Sequence, residues 1–135
     1  MQVQPYLFFD GRCREALEFY KQAIGAKVAV LMRWKDSPDQ SMTPPDDAEK
    51  VMHAQFQIGD TTVMASDGRN SGKPNFEGFA LSILAGSEAE ADGMFAALAD
   101  GGEVQMPLAQ TFWSPAFGVV VDRFGTPWEI TVRAA

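Results

Sequence analysis

The chain has 135 residues, 46% hydrophobic and 21% charged, which is the size and composition of one globular domain. Its 11 Lys and Arg residues against 18 Asp and Glu give a net charge of −7, which argues against nucleic acids and anionic membranes as partners. The single cysteine excludes an intrachain disulfide. The start MQVQPYLFF predicts no signal peptide, and the absence of a long apolar run predicts no membrane span, so we expect a cytoplasmic protein.

The first half of the sequence predicts one helix and four strands. Residues 4–9 are short and aromatic, as in a strand, and residues 12–24 carry a helical stripe that Gly25 ends. Residues 27–34 predict a second strand. Residues 35–50 contain three prolines and no periodicity, which predicts a surface loop that is either a lid or disordered.

A strand at residues 51–58 alternates clearly, and a turn at Gly59 leads into its partner strand at residues 61–66. Phe56 lies on the apolar face, which we expect the helix to cover. His53 and Gln55 lie on the opposite, more polar face.

The second half repeats this order after a connector at residues 67–76. A strand is predicted at residues 78–84, and Ser87 with Glu90 forms a capping box that begins a helix. The apolar stripe of this helix comprises Ala91, Met94, Phe95 and Leu98, and Gly101-Gly102 ends it. The remaining strands are predicted near residues 103–106, 112–121 and 127–133.

The two halves align when the first is displaced by 76 positions, which brings Phe19 to Phe95, Gly25 to Gly101 and Val28 to Val104. We therefore predict an α+β fold with one domain, residues 1–135, built from two βαβββ modules at about 3–67 and 78–133, with a linker at 67–77. Each helix covers one face of its sheet, and we expect the uncovered faces of the curved mixed sheets to enclose a cleft for a ligand.

Three segments carry a family resemblance: PYLFFDGRCREALEFYKQAIGA (5–26), VMHAQFQIGDTTVMASD (51–67) and TFWSPAFGVVVDRFGTPWEI (111–130). They resemble the PhnB-like branch of the glyoxalase/bleomycin-resistance/dioxygenase superfamily, the vicinal oxygen chelate fold. The resemblance implies paired βαβββ modules and a homodimer. Many such chains are labelled demethylubiquinone methyltransferases, but a conventional methyltransferase holds its cofactor at a glycine-rich turn that the sequence lacks, so methyl transfer is disfavoured.

Metal-using members of this superfamily place a ligand, usually His, at the start of the first strand of each half, and another, usually Glu, in the last strand. The first position falls at about Pro5, beside Gln4, and neither is a good ligand. The segments TTVMAS and GFALSI supply none either, and only Glu129 matches. We therefore expect no cofactor, and a bound divalent metal is disfavoured.

His53 and Glu129 are the candidate catalytic residues, because an imidazole and a carboxylate in a cleft can transfer protons. His53 is alternatively a structural histidine. Glu129 is alternatively a lone ligand or an ordinary strand carboxylate paired with Arg133. The register of the strands decides whether His53 and Glu129 face the cleft, since a slip by one residue would turn both side chains toward the helices.

Gln55, Trp113, Thr131 and Phe9 are the predicted ligand-binding residues. Trp113 alternatively packs in the core or at a dimer contact, and hydrogen-bond donors at Gln110, Thr111 and Ser114 lie near it in sequence. Cys13 stands at a helix start without a neighbouring base, so we expect a small buried residue rather than a nucleophile.

Two functions remain open. One is an enzyme of the vicinal oxygen chelate type that acts on a small organic molecule without the four-ligand metal site. The other is a non-catalytic dimeric protein that sequesters a small apolar or aromatic compound, as antibiotic-resistance relatives do. In both, the expected partners are a second copy of the chain and a small molecule, with neither nucleic acid nor membrane.

Overall fold

The computed structural model of the chain describes residues 1–43, 46–68 and 73–134. The chain divides into two units, Met1–Pro74 and Asn75–Ala135, called module 1 and module 2 below. The division lies inside the predicted linker, of which residues 69–72 are outside the described ones.

Each module consists of a strand, a helix and three further strands. Module 1 contains β1 (Tyr6–Phe8), α1 (Cys13–Ile24), β2 (Lys27–Arg33), β3 (Val51–Ile58) and β4 (Thr61–Ser66). Module 2 contains β5 (Leu81–Ala85), α2 (Glu88–Ala99), β6 (Glu103–Ala109), β7 (Phe117–Val121) and β8 (Pro127–Val132). The predicted α+β fold of two βαβββ modules is confirmed.

The two sheets have the same topology. Their strand orders are β1-β4-β3-β2 and β5-β8-β7-β6. The pairs β1–β4 and β5–β8 are parallel, and the other neighbours are antiparallel. The first and last strands of a module therefore lie side by side, which sets residues far apart in sequence opposite one another.

Helix α1 packs one face against the sheet of module 1, as its apolar stripe predicts. Leu17 and Tyr20 are buried, and the Tyr20 ring stacks on Phe56 of β3 with centroids 5.9 Å apart. Gly25 ends the helix in the left-handed conformation, with a φ of 68°. Asp67, from the end of β4, accepts a hydrogen bond from the backbone N–H of Cys13 at the helix start.

Helix α2 begins as predicted, with the Ser87 hydroxyl accepting a hydrogen bond from the Glu90 N–H at 3.1 Å. Its buried residues are Ala91, Phe95 and Leu98. Trp128, Ile130 and Val132 of β8 are buried in turn, so the helix side of this sheet forms the core of module 2.

Several predicted boundaries differ from the structure: the strands predicted at 4–9 and 78–84 are Tyr6–Phe8 and Leu81–Ala85. The strand predicted at 112–121 begins only at Phe117, because the preceding residues form a turn in which the Thr111 hydroxyl accepts hydrogen bonds from the Trp113 and Ser114 N–H groups. Pro115, which lacks an N–H, follows that turn. The strand predicted at 103–106 extends instead to Ala109.

The predicted loop 35–50 contains ordered structure in its described part. Two short 3-10 helices, Trp34–Asp36 and Gln40–Met42, lie at its start. Glu49 pairs with Lys35 at 2.9 Å and with Arg33 at 3.2 Å, and backbone hydrogen bonds join the two ends of the loop. Residues 44 and 45 lie outside the described residues.

No helix in the described parts of the chain combines the length and apolarity that crossing a membrane requires.

Candidate functional site

The sheet of module 1 has one face against α1 and one open face. Residues paired across neighbouring strands point to the same side of a sheet. Tyr6 pairs with Met64, and Met64 pairs with Gln55, so these three side chains share one face. Alternation along β3 adds His53 to it. Phe56 points to the opposite side of β3 and packs on α1. The face that carries His53 and Gln55 is therefore the open one, as predicted.

A chain of hydrogen bonds runs across this face. The Tyr6 hydroxyl lies 2.8 Å from Nδ1 of His53, and Nε2 of His53 lies 3.2 Å from the side-chain nitrogen of Gln55. Partial burial raises the pKa of the Tyr6 hydroxyl, and a hydrogen bond with the Ser66 side chain opposes that increase. His53 is thus a member of a polar cluster rather than an isolated surface residue.

Aromatic and thioether groups surround this cluster. The Phe8 ring stacks on Tyr6 with centroids 5.0 Å apart and an interplanar angle of 24°. Tyr6 is 36% and Phe8 46% exposed, while Met32 and Met64 are half-buried on the same face. Polar groups in an apolar surround are typical of small-molecule sites.

Sequence reasoning did not find Tyr6 as a functional residue. Tyr6, Leu7, Phe8 and Phe9 are all large and apolar or aromatic, so residues 4–9 show no alternation that would separate the two faces. The displacement by 76 positions contained a signal, since it superimposes Tyr6 on Ser82, which pairs with Glu129.

Phe9 does not belong to the open face, and its predicted role in ligand binding is corrected here. It follows β1 at the point where the chain turns, is 2% exposed, and packs its ring 6.3 Å from Tyr20 of α1. Its side chain therefore belongs to the core of module 1.

The open face of module 2 carries Glu129 and Thr131. The Ser82 hydroxyl of β5 donates a hydrogen bond to Oε1 of Glu129 at 3.1 Å. Thr131 pairs with Leu84 of β5 and Phe117 of β7. Both predicted residues therefore point away from the core formed by Trp128, Ile130 and Val132. The partner of Glu129 is Ser82, not the Arg133 that the alternative interpretation named.

Trp113 lies in the turn before β7, not in a strand, but it reaches the same face. Its ring is edge-on to Phe117 at 5.2 Å and to Phe112 at 4.8 Å, and Phe117 pairs with Thr131. Trp113 is 48% exposed, so it is not a core residue. The indole face is thus available beside the predicted site.

A groove in module 2 runs past Trp113, and its lining includes Gln110, Thr111 and Ser114. The buried Ser114 hydroxyl is already committed: its one hydrogen is within reach of the backbone carbonyls of Ala116 and Val132, and its oxygen accepts from the N–H groups of the same two residues. Ser114 therefore stabilises the turn rather than offering a donor to a ligand.

The positions at which metal-using relatives carry ligands do not fit a metal ion here. In module 2 Ser82 pairs with Glu129 across the parallel strands, and the residue of module 1 equivalent to Ser82 is Tyr6, which pairs with Met64, rather than the predicted position at about Pro5. Taken by itself, each pair is a poor donor set: Tyr6 and Met64 offer a hydroxyl and a thioether, and Ser82 and Glu129 offer a hydroxyl and one carboxylate, whereas divalent first-row metals are held by imidazole, thiolate and several carboxylates. Within residues 1–43, 46–68 and 73–134, no three His, Cys, Asp or Glu residues are grouped to hold an ion.

Cys13 has the structural role expected of it. The side chain is fully buried, and this burial, reinforced by the nearby Asp67 carboxylate, raises the pKa of the thiol well above its ordinary value. A protonated, inaccessible thiol is a poor nucleophile, so Cys13 adds no chemistry to either open face.

Comparison with known proteins places the chain in a family. The profile of the family described as 3-demethylubiquinone-9 3-methyltransferase matches residues 1–131. Protein YjdN of Escherichia coli (strain K12) is 33% identical over 142 residues, covering 98% of this chain and 95% of that protein.

Solved structures agree with this assignment. Protein PA1353 from Pseudomonas aeruginosa is 40% identical, with a TM-score of 0.88 and 98% of each chain covered. A Bacillus cereus protein described as a putative 3-demethylubiquinone-9 3-methyltransferase, PhnB protein, is 25% identical, with a TM-score of 0.81, over 98% of this chain and 99% of that one. A glyoxylase/bleomycin resistance protein/dioxygenase domain from Frankia sp. EAN1pec, 13% identical over 99% and 98% of the two chains, shares the fold with a TM-score of 0.72.

The fold is that of the glyoxalase/bleomycin-resistance/dioxygenase superfamily. Within it, the chain belongs to the PhnB-like family whose description is 3-demethylubiquinone-9 3-methyltransferase.

Proposed function

We propose that this PhnB-like protein binds a small organic molecule on its open sheet faces, without the four-ligand metal site of metal-using relatives. The observation that carries the proposal is the hydrogen-bonded chain of Tyr6, His53 and Gln55 on a half-exposed face, beside the ring of Phe8 and the thioethers of Met32 and Met64. A polar cluster of this kind orients a ligand that the surrounding rings hold by contact.

Module 2 supplies a second set of groups with the same character. Glu129 and Thr131 are its polar side chains, and Phe117 and Trp113 are its rings. A half-exposed indole loses water-exposed apolar surface when a planar molecule packs on it, which favours binding by roughly 25 cal/mol per Å² buried.

Catalysis by proton transfer is the first candidate activity. An imidazole is a common general acid or base, which is the role this candidate gives to His53, and Tyr6, in contact with it, can deliver a hydrogen bond to the same ligand. Glu129 can act as a base from its own face, with Ser82 holding one carboxylate oxygen in place.

Non-catalytic binding is the second candidate, and the placement of the reactive groups favours it. Cys13 is buried, and one oxygen of Glu129 is already bonded to Ser82. The exposed rings of Phe8 and Trp113 suit the capture of an apolar compound with or without chemistry.

Methyl transfer, the activity in the family's description, is the least favoured of the three. A conventional methyltransferase binds its nucleotide cofactor at a glycine-rich turn after the first strand of a parallel sheet. The turn after β1 here contains one glycine, Gly11, and directs its N–H to the Asp67 carboxylate instead of to a cofactor.

A titration of the protein with neutral aromatic compounds, beginning with acetophenone, tests the proposal. Quenching of tryptophan fluorescence reports binding, and mass spectrometry of the mixture reports any conversion. We expect saturable quenching that weakens in Trp113→Ala. Failure of the compounds to bind would contradict the proposal.

Two kinds of substitution, one at the polar candidates and one at the exposed rings, separate the candidate activities. In an enzyme, His53→Gln or Glu129→Gln lowers turnover while affinity changes little, and the rate depends on pH. In a binder, affinity falls when Phe8 or Trp113 is truncated, and no product forms. Glu77→Gln, at an exposed glutamate outside the strands, is the control and should change neither quantity.

A further inference from the structure

We propose that Tyr6 is the hydrogen-bond donor that selects the ligand, and that His53 and Gln55 act as positioning residues which direct its proton outward. This inference rests on the proposed function and names the ligand class: a planar, apolar molecule with a neutral oxygen acceptor such as a carbonyl. It follows from counting the donors and acceptors around the phenol oxygen.

The side-chain nitrogen of Gln55 fixes the tautomer of His53. An amide nitrogen only donates hydrogen bonds, so the His53 Nε2 that lies 3.2 Å from it is the accepting, unprotonated nitrogen of a neutral imidazole. The ring proton is then on Nδ1. The N–H at Nδ1 donates to the Tyr6 oxygen, 2.8 Å away.

Ser66 lies on the same face, where its side chain counteracts the burial that raises the pKa of the Tyr6 hydroxyl. The phenol oxygen thus receives a hydrogen bond from His53, and this bond does not use the Tyr6 proton. Among the described residues no group accepts that proton, which makes it available to a ligand on the open face.

The incoming hydrogen bond from His53 strengthens the one that Tyr6 can donate. A donor at an oxygen draws electron density from it and polarises its own O–H bond, which makes the group a better donor. Tyr6 is therefore prepared to bind an acceptor atom before any ligand arrives, and little reorganisation is required on binding.

The surroundings of Tyr6 define the rest of the ligand. Phe8 stacks on Tyr6, and Met64 pairs with it, so the adjoining surface is apolar. In this tautomer His53 is neutral, and among the described residues no Lys or Arg side chain is hydrogen-bonded to Tyr6, so no positive charge in direct contact with it balances an anion. A neutral carbonyl compound fits these conditions better than a carboxylate or a phosphate.

The tautomer can be read directly, because His53 is the only histidine of the chain. Long-range proton–nitrogen NMR of the neutral imidazole should give a pyrrole-type signal for Nδ1 and a pyridine-type signal for Nε2. This preference should persist in Tyr6→Phe and be lost in Gln55→Leu, which removes the amide nitrogen that fixes it. A protonated Nε2 in the unmodified protein would overturn the inference.

A pair of compounds of the same shape tests the donor. Acetophenone has a carbonyl oxygen where α-methylstyrene has a methylene group. We expect the protein to bind acetophenone about fivefold more tightly, the effect of one hydrogen bond. Tyr6→Phe should abolish this preference. Tyr20→Phe removes the hydroxyl of the chain's other tyrosine, which is buried between α1 and the sheet. This control variant should keep the preference for acetophenone.

The outcomes separate this inference from the function on which it rests. Binding of both compounds with a preference unaffected by Tyr6→Phe would overturn the role of Tyr6 and leave small-molecule binding intact. Binding of neither compound would contradict both proposals. Loss of the preference in Tyr6→Phe alone supports both.

Discussion

Ser82 and Glu129 face each other across the parallel strands β5 and β8, and the serine hydroxyl donates a hydrogen bond to the carboxylate at 3.1 Å. The corresponding pair in module 1 is Tyr6 and Met64 on β1 and β4. The two modules thus share a topology but differ at the same position. One holds a carboxylate, and the other holds a phenol that contacts an imidazole.

This difference predicts that the protein does not retain a stoichiometric divalent metal. Neither a hydroxyl with a thioether, as in module 1, nor a hydroxyl with one carboxylate, as in module 2, is a strong donor set. Untagged protein incubated with Ni, Mn, Fe or Zn and then desalted should carry far less than one ion per chain by elemental analysis. About one ion per chain, lost in Glu129→Gln, would show that a metal site exists there.

Asp67 is predicted to be a major determinant of the stability of module 1. Its Oδ1 accepts hydrogen bonds from the N–H groups of Gly11 and Cys13, and its Oδ2 accepts one from Val51, each at 2.8 Å. In Asp67→Asn one carboxylate oxygen becomes an amide N–H₂ group, which cannot accept a hydrogen bond. At least one of these backbone N–H groups then loses its acceptor inside the core. We expect a loss of about 1–3 kcal/mol in the free energy of unfolding by urea.

Asp60→Asn provides the control for that experiment. Asp60 lies in the exposed hairpin turn between β3 and β4, so its replacement should change the unfolding free energy by less than about 0.5 kcal/mol. Equal stabilities of the two variants would refute the role given to Asp67.

Burial of Cys13 predicts a specific dependence of stability on pH. Burial, followed by the Asp67 charge, raises the pKa of the thiol in the folded protein, so the folded state holds the proton more tightly than the unfolded state does. The stabilisation is complete below the ordinary thiol pKa of 9.0 and is lost as the pH rises above it. The loss approaches about 1.4 kcal/mol per pH unit.

Cys13→Ala isolates this contribution. The difference in unfolding free energy between the two proteins should be constant from pH 6 to about 8 and should move in favour of the variant above about pH 9. Parallel curves throughout would mean that the thiol titrates alike in both states.

A homodimer is expected, because the resemblance implies one and because the edge strands and exposed rings offer surface for association. Phe112 is 98% exposed beside Trp113, an arrangement that costs free energy in water. Light scattering at micromolar concentration should give twice the chain mass of 14.7 kDa. A single mass near 14.7 kDa would contradict this expectation.

Local sequence signals predicted most of the fold. The helix stripes, Gly25, Ser87 and the hairpin at Gly59 act within a few residues of one another, so one segment suffices to recognise them. Alternation along β3 and β8 likewise assigned His53 and Glu129 to the open faces.

Long-range pairing was less accessible to sequence reasoning. Tyr6 contacts His53 across 47 positions, and Ser82 contacts Glu129 across the same separation. Such contacts depend on which strands become neighbours, and periodicity within one strand does not contain that information. Trp113 was placed in a strand for a related reason, because the side-chain hydrogen bonds of Thr111 that form the turn compete with strand pairing.

Mapping of backbone amide shifts during titration with acetophenone tests the central claim most directly. The proposal predicts saturable shifts concentrated in β1 and β3, together with the ring signals of His53, and much smaller shifts in Tyr6→Phe. Shifts confined to the helix side of the sheet around Tyr20, or no saturable shifts at all, would contradict it.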